Sequence, residues 1–471
     1  MKIFDKLYID GQFVPAEGGM LDVINPADES IAGRAPLASA ADVDRAIQAA
    51  RRAFGSWSSS SAHERAGYIR KLVAELTRRR EQMAELITAE MGAPLWFSQE
   101  VQVDDPIDAL AQHAEHASLL EQEVSIGNCT AVREPVGVCA FINPWNYPLH
   151  QLIGKMAPAL AAGCTMVLKP SENTPLHGFL LAEAVHAAGL PAGVFNLVNG
   201  DGPSVGEPLC THPEVDMVSF TGSTRAGVRI AQLAAPTVKR VCQELGGKSP
   251  LLIAEDADLE AAVQFGVEDV MVNSGQTCTA LTRMLVPASR YEDAIAIAKQ
   301  HAESLKLGDP NAEDTFIGPL ASKAQLEVVQ RYIGIGLEEG ARLVTGGLEP
   351  PEGLLQGYYA RPTIFADVSN DMTIAREEIF GPVLSMIPYD GEADAIRIAN
   401  DTPYGLSARV WSSDRGHARA LARQIRAGQV YINNGDWNNQ APFGGYKQSG
   451  NGRELGEFGV HEFFETKALI G

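Results

Sequence analysis

The chain has 471 residues, 45% apolar and 21% charged, which at about 100–200 residues per domain predicts two to four domains. That length and composition exclude a peptide, a disulfide knot, a single small module and a low-complexity or disordered chain. The 38 basic residues are outnumbered by 59 acidic ones, and a formal charge of −21 opposes sequence-independent attraction to a polyanion, so nucleic acid is not an expected partner. The acidity is spread without a block and reads as solubility.

The start, Met1 to Lys6, has no apolar h-region, and the most apolar later stretch, Met156 to Leu168, is interrupted by Pro158 and Gly163. Neither a signal peptide nor a membrane span is expected. Ser39 and Asp42 stand at capping-box spacing before Val43, Ile47, Ala50 and Phe54, which predicts a helix. A longer helical pattern is predicted from Glu64 to Met91, with Ile69, Leu72, Val73, Leu76, Met83, Leu86 and Ile87 on one face and a stop at Gly92 and Pro94.

Alternation from Glu123 to Val138, with a turn at Gly127-Asn128, predicts a β-hairpin. Short apolar runs then alternate with helices: Val136 to Ile142, Thr165 to Leu168, Val194 to Val198 and Met217 to Phe220. That rhythm predicts right-handed crossovers and a parallel sheet buried on both faces, with ligands beyond the strands' carboxyl ends. A second alternating segment runs from Ser249 to Asn433, making a two-lobed α/β protein with a cleft. The tail, His461 to Gly471, is strand-like and is expected to pair with the hairpin in a small unit offering an edge to another subunit.

Several segments could carry chemistry. Gly246-Gly-Lys-Ser249 ends like a P-loop but has Cys242 where the first glycine belongs, and Gly200 to Gly206 is one residue too long for a dinucleotide fingerprint. Met217 to Gly227 is a buried strand emptying into Gly222 and Ser223, a phosphate-binding turn or simply a capped one. Asn146, in Asn143-Pro-Trp-Asn-Tyr-Pro148, is an amide donor near a strand end or a turn former. Lys169 and Glu172 follow the next strand, where they could hold ribose hydroxyls and repel a 2′-phosphate, or merely form a surface ion pair. Of six cysteines, with no C-x-x-C and so no disulfide framework or zinc site, Cys278 in Gly275-Gln-Thr-Cys-Thr279 could be a nucleophile, with Glu244 as general base; it could also be a small buried hydrophobe. A reducing, cytoplasmic setting is expected.

Taken in order, Pro144-Trp-Asn-Tyr-Pro148, Lys169-Pro-Ser-Glu172, Phe220-Thr-Gly-Ser223, Glu244-Leu-Gly-Gly247, Gly275-Gln-Thr-Cys278, Glu377-Glu-Ile-Phe-Gly-Pro382 and Pro442-Phe-Gly-Gly-Tyr-Lys447 resemble the NAD(P)-dependent aldehyde dehydrogenase superfamily over nearly the whole chain. The resemblance implies an α/β fold with a Rossmann-like NAD-binding domain (1–115, 137–246 and 448–463), an α/β catalytic domain (247–447) and a small β oligomerisation domain (116–136 and 464–471). It implies Cys278 as nucleophile, oxyanion stabilisation by Asn146 and the Cys278 backbone N–H, and thioester hydrolysis by water that Glu244 activates, with Lys155 and Glu454 relaying its proton.

For the cofactor, NAD in preference to NADP, it implies Lys169 and Glu172 at the adenine ribose, Gly222 and Ser223 at the pyrophosphate, Glu378 and Phe380 at the nicotinamide end, and Trp145 and Gly246 beside them. Tyr147, Gln151, Thr277, Phe443 and again Trp145 would line the aldehyde's tunnel, and a polar segment, Asn434 to Asn439, departs from the family's shorter, more apolar version. A homodimer or homotetramer is expected. The alternatives are a CoA-acylating relative, a non-catalytic structural protein on this scaffold, and a cysteine hydrolase needing one of ten histidines as base.

Overall fold

The computed structural model describes all residues, 1–471. Its first large sheet has the strand order Gly450–Asn451, Arg240–Glu244, Met217–Thr221, Val138–Ile142, Thr165–Lys169, Phe195–Leu197, Lys6–Ile9, Gln12–Pro15. The five strands from Arg240–Glu244 to Phe195–Leu197 are parallel; four of them fall on the apolar runs expected, while Arg240–Glu244, polar at Arg240, Gln243 and Glu244, is a strand the sequence pattern did not mark. Val138–Ile142, Thr165–Lys169 and Met217–Thr221 are buried at every position, because helices cover both faces. Antiparallel strands close the two edges.

The second sheet runs Arg342–Thr345, Thr363–Ala366, Val383–Tyr389, Arg283–Pro287, Pro250–Ile253, Ser407–Trp411, Gln429–Ile432, parallel except for its first strand. Separate apolar clusters pack its two faces, one around Leu252, Leu285 and Phe365 and the other around Leu251, Met284 and Ile364. A third sheet is antiparallel: Phe464–Ile470 pairs along its length with Cys129–Pro135, which pairs with Val124–Ile126. His461 ends a short helix, Gly456–His461, so the tail's strand starts three residues later than expected.

Helix Ala40–Ser58 starts with the expected capping box. The long helical pattern does not give one helix: Ala62–Arg78 and Arg80–Met91 are separated at Arg79, whose ψ of 8° turns the axis. Around the break Arg78 and Arg79 pair with Glu75, and Arg80 with Asp104. A turn that preserves the phase of the apolar face is invisible to periodicity. No helix is long and apolar enough to cross a membrane.

Candidate active site

Three strands of the first sheet deliver their following residues to one place. After Val138–Ile142 come Pro144, Trp145 and Asn146; after Met217–Thr221 come Gly222 and Ser223; Arg240–Glu244 ends on Glu244 itself and continues to Gly246. With Gln325, Glu378 and Phe380 from the second lobe they enclose a cavity of about 230 Å³. Ser223 caps helix Thr224–Ala234, accepting from the Ala226 N–H at 3.3 Å, and the capped turn faces this cavity. The Phe380 backbone has φ 58° and is held there by Gln325, whose Nε2 donates to the carbonyls of Ile379 and Phe380 at 3.1 and 2.8 Å. The Trp145 ring stands edge-on to Phe380 at 5.3 Å.

Glu378 accepts from the Gly247 N–H at 2.9 Å, and a side chain at Gly246 would collide with its carboxylate. Burial pushes Glu378 up to about 7. Behind it Lys248 is buried with no partner, and burial together with Arg283 lowers it to about 7.

A second cavity, of about 220 Å³, brings Tyr147, Gln151, Thr277 and Phe443 together in its wall. The Tyr147 hydroxyl shares a 2.8 Å hydrogen bond with Thr277 Oγ1. Trp145 is a correction: expected also in the tunnel, it lines only the first cavity, since its ring turns towards Phe380. Lys169 and Glu172 line neither cavity; Lys169 is buried, donating to the carbonyls of Gly200 and Pro170 at 2.6 and 2.8 Å and pairing with Glu172 at 3.2 Å.

Cys278 is the one side chain in the walls of both cavities. It is half-buried, following a helix and a tight turn in which Asn273 and Ser274 take φ of 54° and 56°. Such residues cost on the order of 1–3 kcal/mol each and persist only where the surroundings over-determine them. Here Asn273 Nδ2 donates to the Asn146 carbonyl at 3.0 Å, Gln102 donates to that carbonyl at 3.0 Å, and Asn146 Nδ2 donates to the Gln276 carbonyl at 2.9 Å. Burial, and then the charges of Glu378 and Glu244, push the Cys278 thiol well up.

Glu244 is buried, and neither carboxylate oxygen has a hydrogen-bond partner. Burial, then Glu454, raise its pKa, while Lys155 and Arg453 pull the other way. A side chain at Gly444, whose φ is +148°, would press on Glu244, so the glycine lets the second lobe's loop pass this carboxylate. Lys155 and Glu454, far apart in sequence, form a 2.7 Å ion pair, and Lys155 Nζ donates to Thr221 Oγ1 at 2.6 Å.

Sequence reasoning missed Gln102, Asn273 and Gln325, which hold the site's backbone, and Asp105 and His150, which line the second cavity. None has a local signature. Trp437, also in that wall, lies in the polar segment that departs from the resemblance.

The sequence model of the aldehyde dehydrogenase family matches residues 13–469. A 3-succinoylsemialdehyde-pyridine dehydrogenase from Pseudomonas sp is 52% identical, over 100% of this chain and 99% of the relative. A solved structure of a Cys→Ala mutant of aldehyde dehydrogenase C from Pseudomonas syringae, in complex with NAD+ and octanal, is 49% identical with a TM-score of 0.98, covering 99% of this chain and 96% of that one. An aldehyde dehydrogenase of Mycobacterium tuberculosis complexed with NAD+ is 43% identical with a TM-score of 0.97, covering 100% and 98%.

Proposed function

The chain belongs to the aldehyde dehydrogenase family, and we propose that it oxidises an aldehyde to the carboxylic acid with NAD as acceptor, Cys278 being the nucleophile. The observation that carries this is the place of Cys278, alone in the walls of both a nucleotide-side and an aldehyde-side cavity.

The first cavity fits NAD: a capped helix N-terminus opens onto it, Gly246 leaves room where a side chain would strike Glu378, and Trp145 and Phe380 offer aromatic surface. NAD supplies the hydride acceptor. Ser223 and Gly222 would hold its pyrophosphate, Glu378 and Phe380 its nicotinamide end. Lys169 and Glu172 would hold the adenine ribose, with Glu172 disfavouring NADP.

The Cys278 sulfur bonds to the aldehyde carbon, giving a thiohemiacetal. Because the thiol's pKa is raised, its proton needs an acceptor as attack begins, and Glu244 is the unpartnered base in that cavity. Asn146 Nδ2, on exchanging the Gln276 carbonyl for the substrate oxygen, and the Cys278 N–H stabilise the oxyanion. Loss of hydride leaves a thioester; water, deprotonated by Glu244, breaks its C–S bond and releases the acid. Lys155 and Glu454 carry the proton away from Glu244.

The division into residues 1–115, 137–246 and 448–463, residues 247–447, and residues 116–136 and 464–471 is supported by separate cores on the two large sheets. A homo-oligomer built on the third sheet is supported by exposed Val124, Ile126, Leu469 and Ile470. Six free cysteines support a reducing, cytoplasmic setting.

The purified protein is expected to form NADH from a medium-chain aldehyde with no CoA present, and Cys278→Ala to abolish turnover while NAD still binds. NADH formation that requires CoA would identify the acylating alternative. Turnover retained in Cys278→Ala would remove the nucleophile from the scheme.

A further inference from the structure

The aldehyde-side cavity carries an uncompensated charge that oxidation of the carbonyl does not use. Among its wall residues are two carboxylic acids, Asp105 and Glu454, and no lysine or arginine. Glu454 is neutralised by Lys155 at 2.7 Å. Asp105 is not: no hydrogen bond or ion pair reaches its carboxylate, and the side chain that contacts this residue, Asn439, donates through Nδ2 to its backbone carbonyl at 3.1 Å. Asp104, next to it, is already paired with Arg80. Burial, followed by the like charges of Asp108, Asp104 and Glu100, raises Asp105 to about 6, so it is ionised above neutral pH.

The remaining polar wall groups are neutral. Burial, then Lys155, lower His150 to about 4, so its imidazole carries no charge at neutral pH, and Gln151, Thr277 and Thr279 have none. Around them stand Tyr147, Trp437 and Phe443, with Trp437 5.8 Å from Phe443 and 5.6 Å from His150. Aromatic faces beside a carboxylate attract a weakly hydrated cation and give an anion nothing to bind.

We propose that Asp105 selects substrates by charge: the cavity takes aldehydes bearing a cationic nitrogen, an ammonium or a protonated heterocycle, ahead of neutral isosteres, and disfavours semialdehydes that end in a carboxylate. The proposal rests on assigning this cavity to the aldehyde. Asp105 acts by binding, and Asn439 and Trp437 position the loop that faces it: Trp437 Nε1 donates to Asn439 Oδ1 at 2.7 Å while Asn439 reaches Asp105.

The test compares three aldehydes with the same three-methylene spacer, ending in trimethylammonium, tert-butyl or carboxylate, at saturating NAD and above neutral pH. The kcat/KM is expected to fall about tenfold at each step from cation to neutral to anion, and Asp105→Asn to bring the cation-to-neutral ratio down about tenfold. A wild-type ratio at or below one, or a ratio untouched by Asp105→Asn, overturns the proposal. Calorimetric binding of the cationic and tert-butyl aldehydes to Cys278→Ala gives the same comparison without turnover, and equal affinities there overturn it too. Failure of the wild-type protein to reduce NAD with all three would instead count against the oxidation itself.

Discussion

Glu244 couples burial to chemistry most directly, because a carboxylate with both oxygens unpartnered is desolvated yet free to take a proton. A base must be ionised, and its pKa is raised by burial and by Glu454, so activity should be lost as pH falls while still above the ordinary carboxylate range. Glu244→Gln removes the proposed base and keeps the shape. Steady-state turnover should drop by about 10²–10⁴-fold, the usual contribution of a general base. Because the same carboxylate takes the thiol proton, acylation and hydrolysis should both slow, and whatever thioester does form should persist on Cys278, visible as an added acyl mass in the intact protein. A variant that turns over at the wild-type rate with no adduct would show that another group activates the water. The sequence could nominate Glu244, Cys278 and Asn146 because the strings around them sit in family order. It could not nominate Asp105 or His150, whose role comes from facing a cavity closed by a loop more than three hundred residues away from the former.

The legibility of the elements varies with how local their cause is. Helix Ala40–Ser58 was readable because its start is a closed local circuit: Ser39 Oγ accepts from the Asp42 N–H at 3.2 Å and Asp42 Oδ2 accepts from the Ser39 N–H at 2.8 Å. The same carboxylate also takes the Glu17 N–H at 3.1 Å, a tertiary contact that spacing does not show. Ser39→Ala should therefore cost about 1 kcal/mol locally, which speeds exchange of the first-turn amides about fivefold. Amide exchange there at the wild-type rate would mean that the Glu17 contact alone holds this end. The Arg79 break shows the opposite case: the apolar stripe, from Leu72 and Leu76 on one helix to Met83 and Ile87 on the next, runs through it and gives no local mark of the turn. The strands before Asn146 and Gly222 were legible because full burial makes them continuous apolar runs that aim the residues after them at the cleft, whereas Arg240–Glu244, with an arginine, a glutamine and a glutamate in five residues, has no such signal.

For the whole molecule, the acidic excess is a general property, and only a few of its carboxylates, Glu172, Glu244, Glu378 and Asp105 among them, acquire specific work in the scheme above. The proposed homo-oligomer rests on the third sheet. Its tail strand is fixed to the cofactor lobe by Arg240, which donates to the carbonyls of Glu462 and Phe464 at 2.6 and 2.8 Å and pairs with Glu465 at 2.8 Å. The sheet is thus rigidly presented while its outer residues stay uncovered: Ile126 is 62% exposed and Ile470 75%. Exposed apolar side chains on a sheet with open edges mark a surface that another chain covers. Deleting the strand would expose a further edge and confuse dissociation with aggregation, so point charges are the cleaner probe. Ile126→Lys combined with Ile470→Lys leaves every backbone pair of Phe464–Ile470 with Cys129–Pro135 in place. The doubly substituted protein should elute from a sizing column as a monomer and still bind NAD, because the first cavity is built without any residue of this sheet. Elution at the wild-type position would place the subunit contact elsewhere.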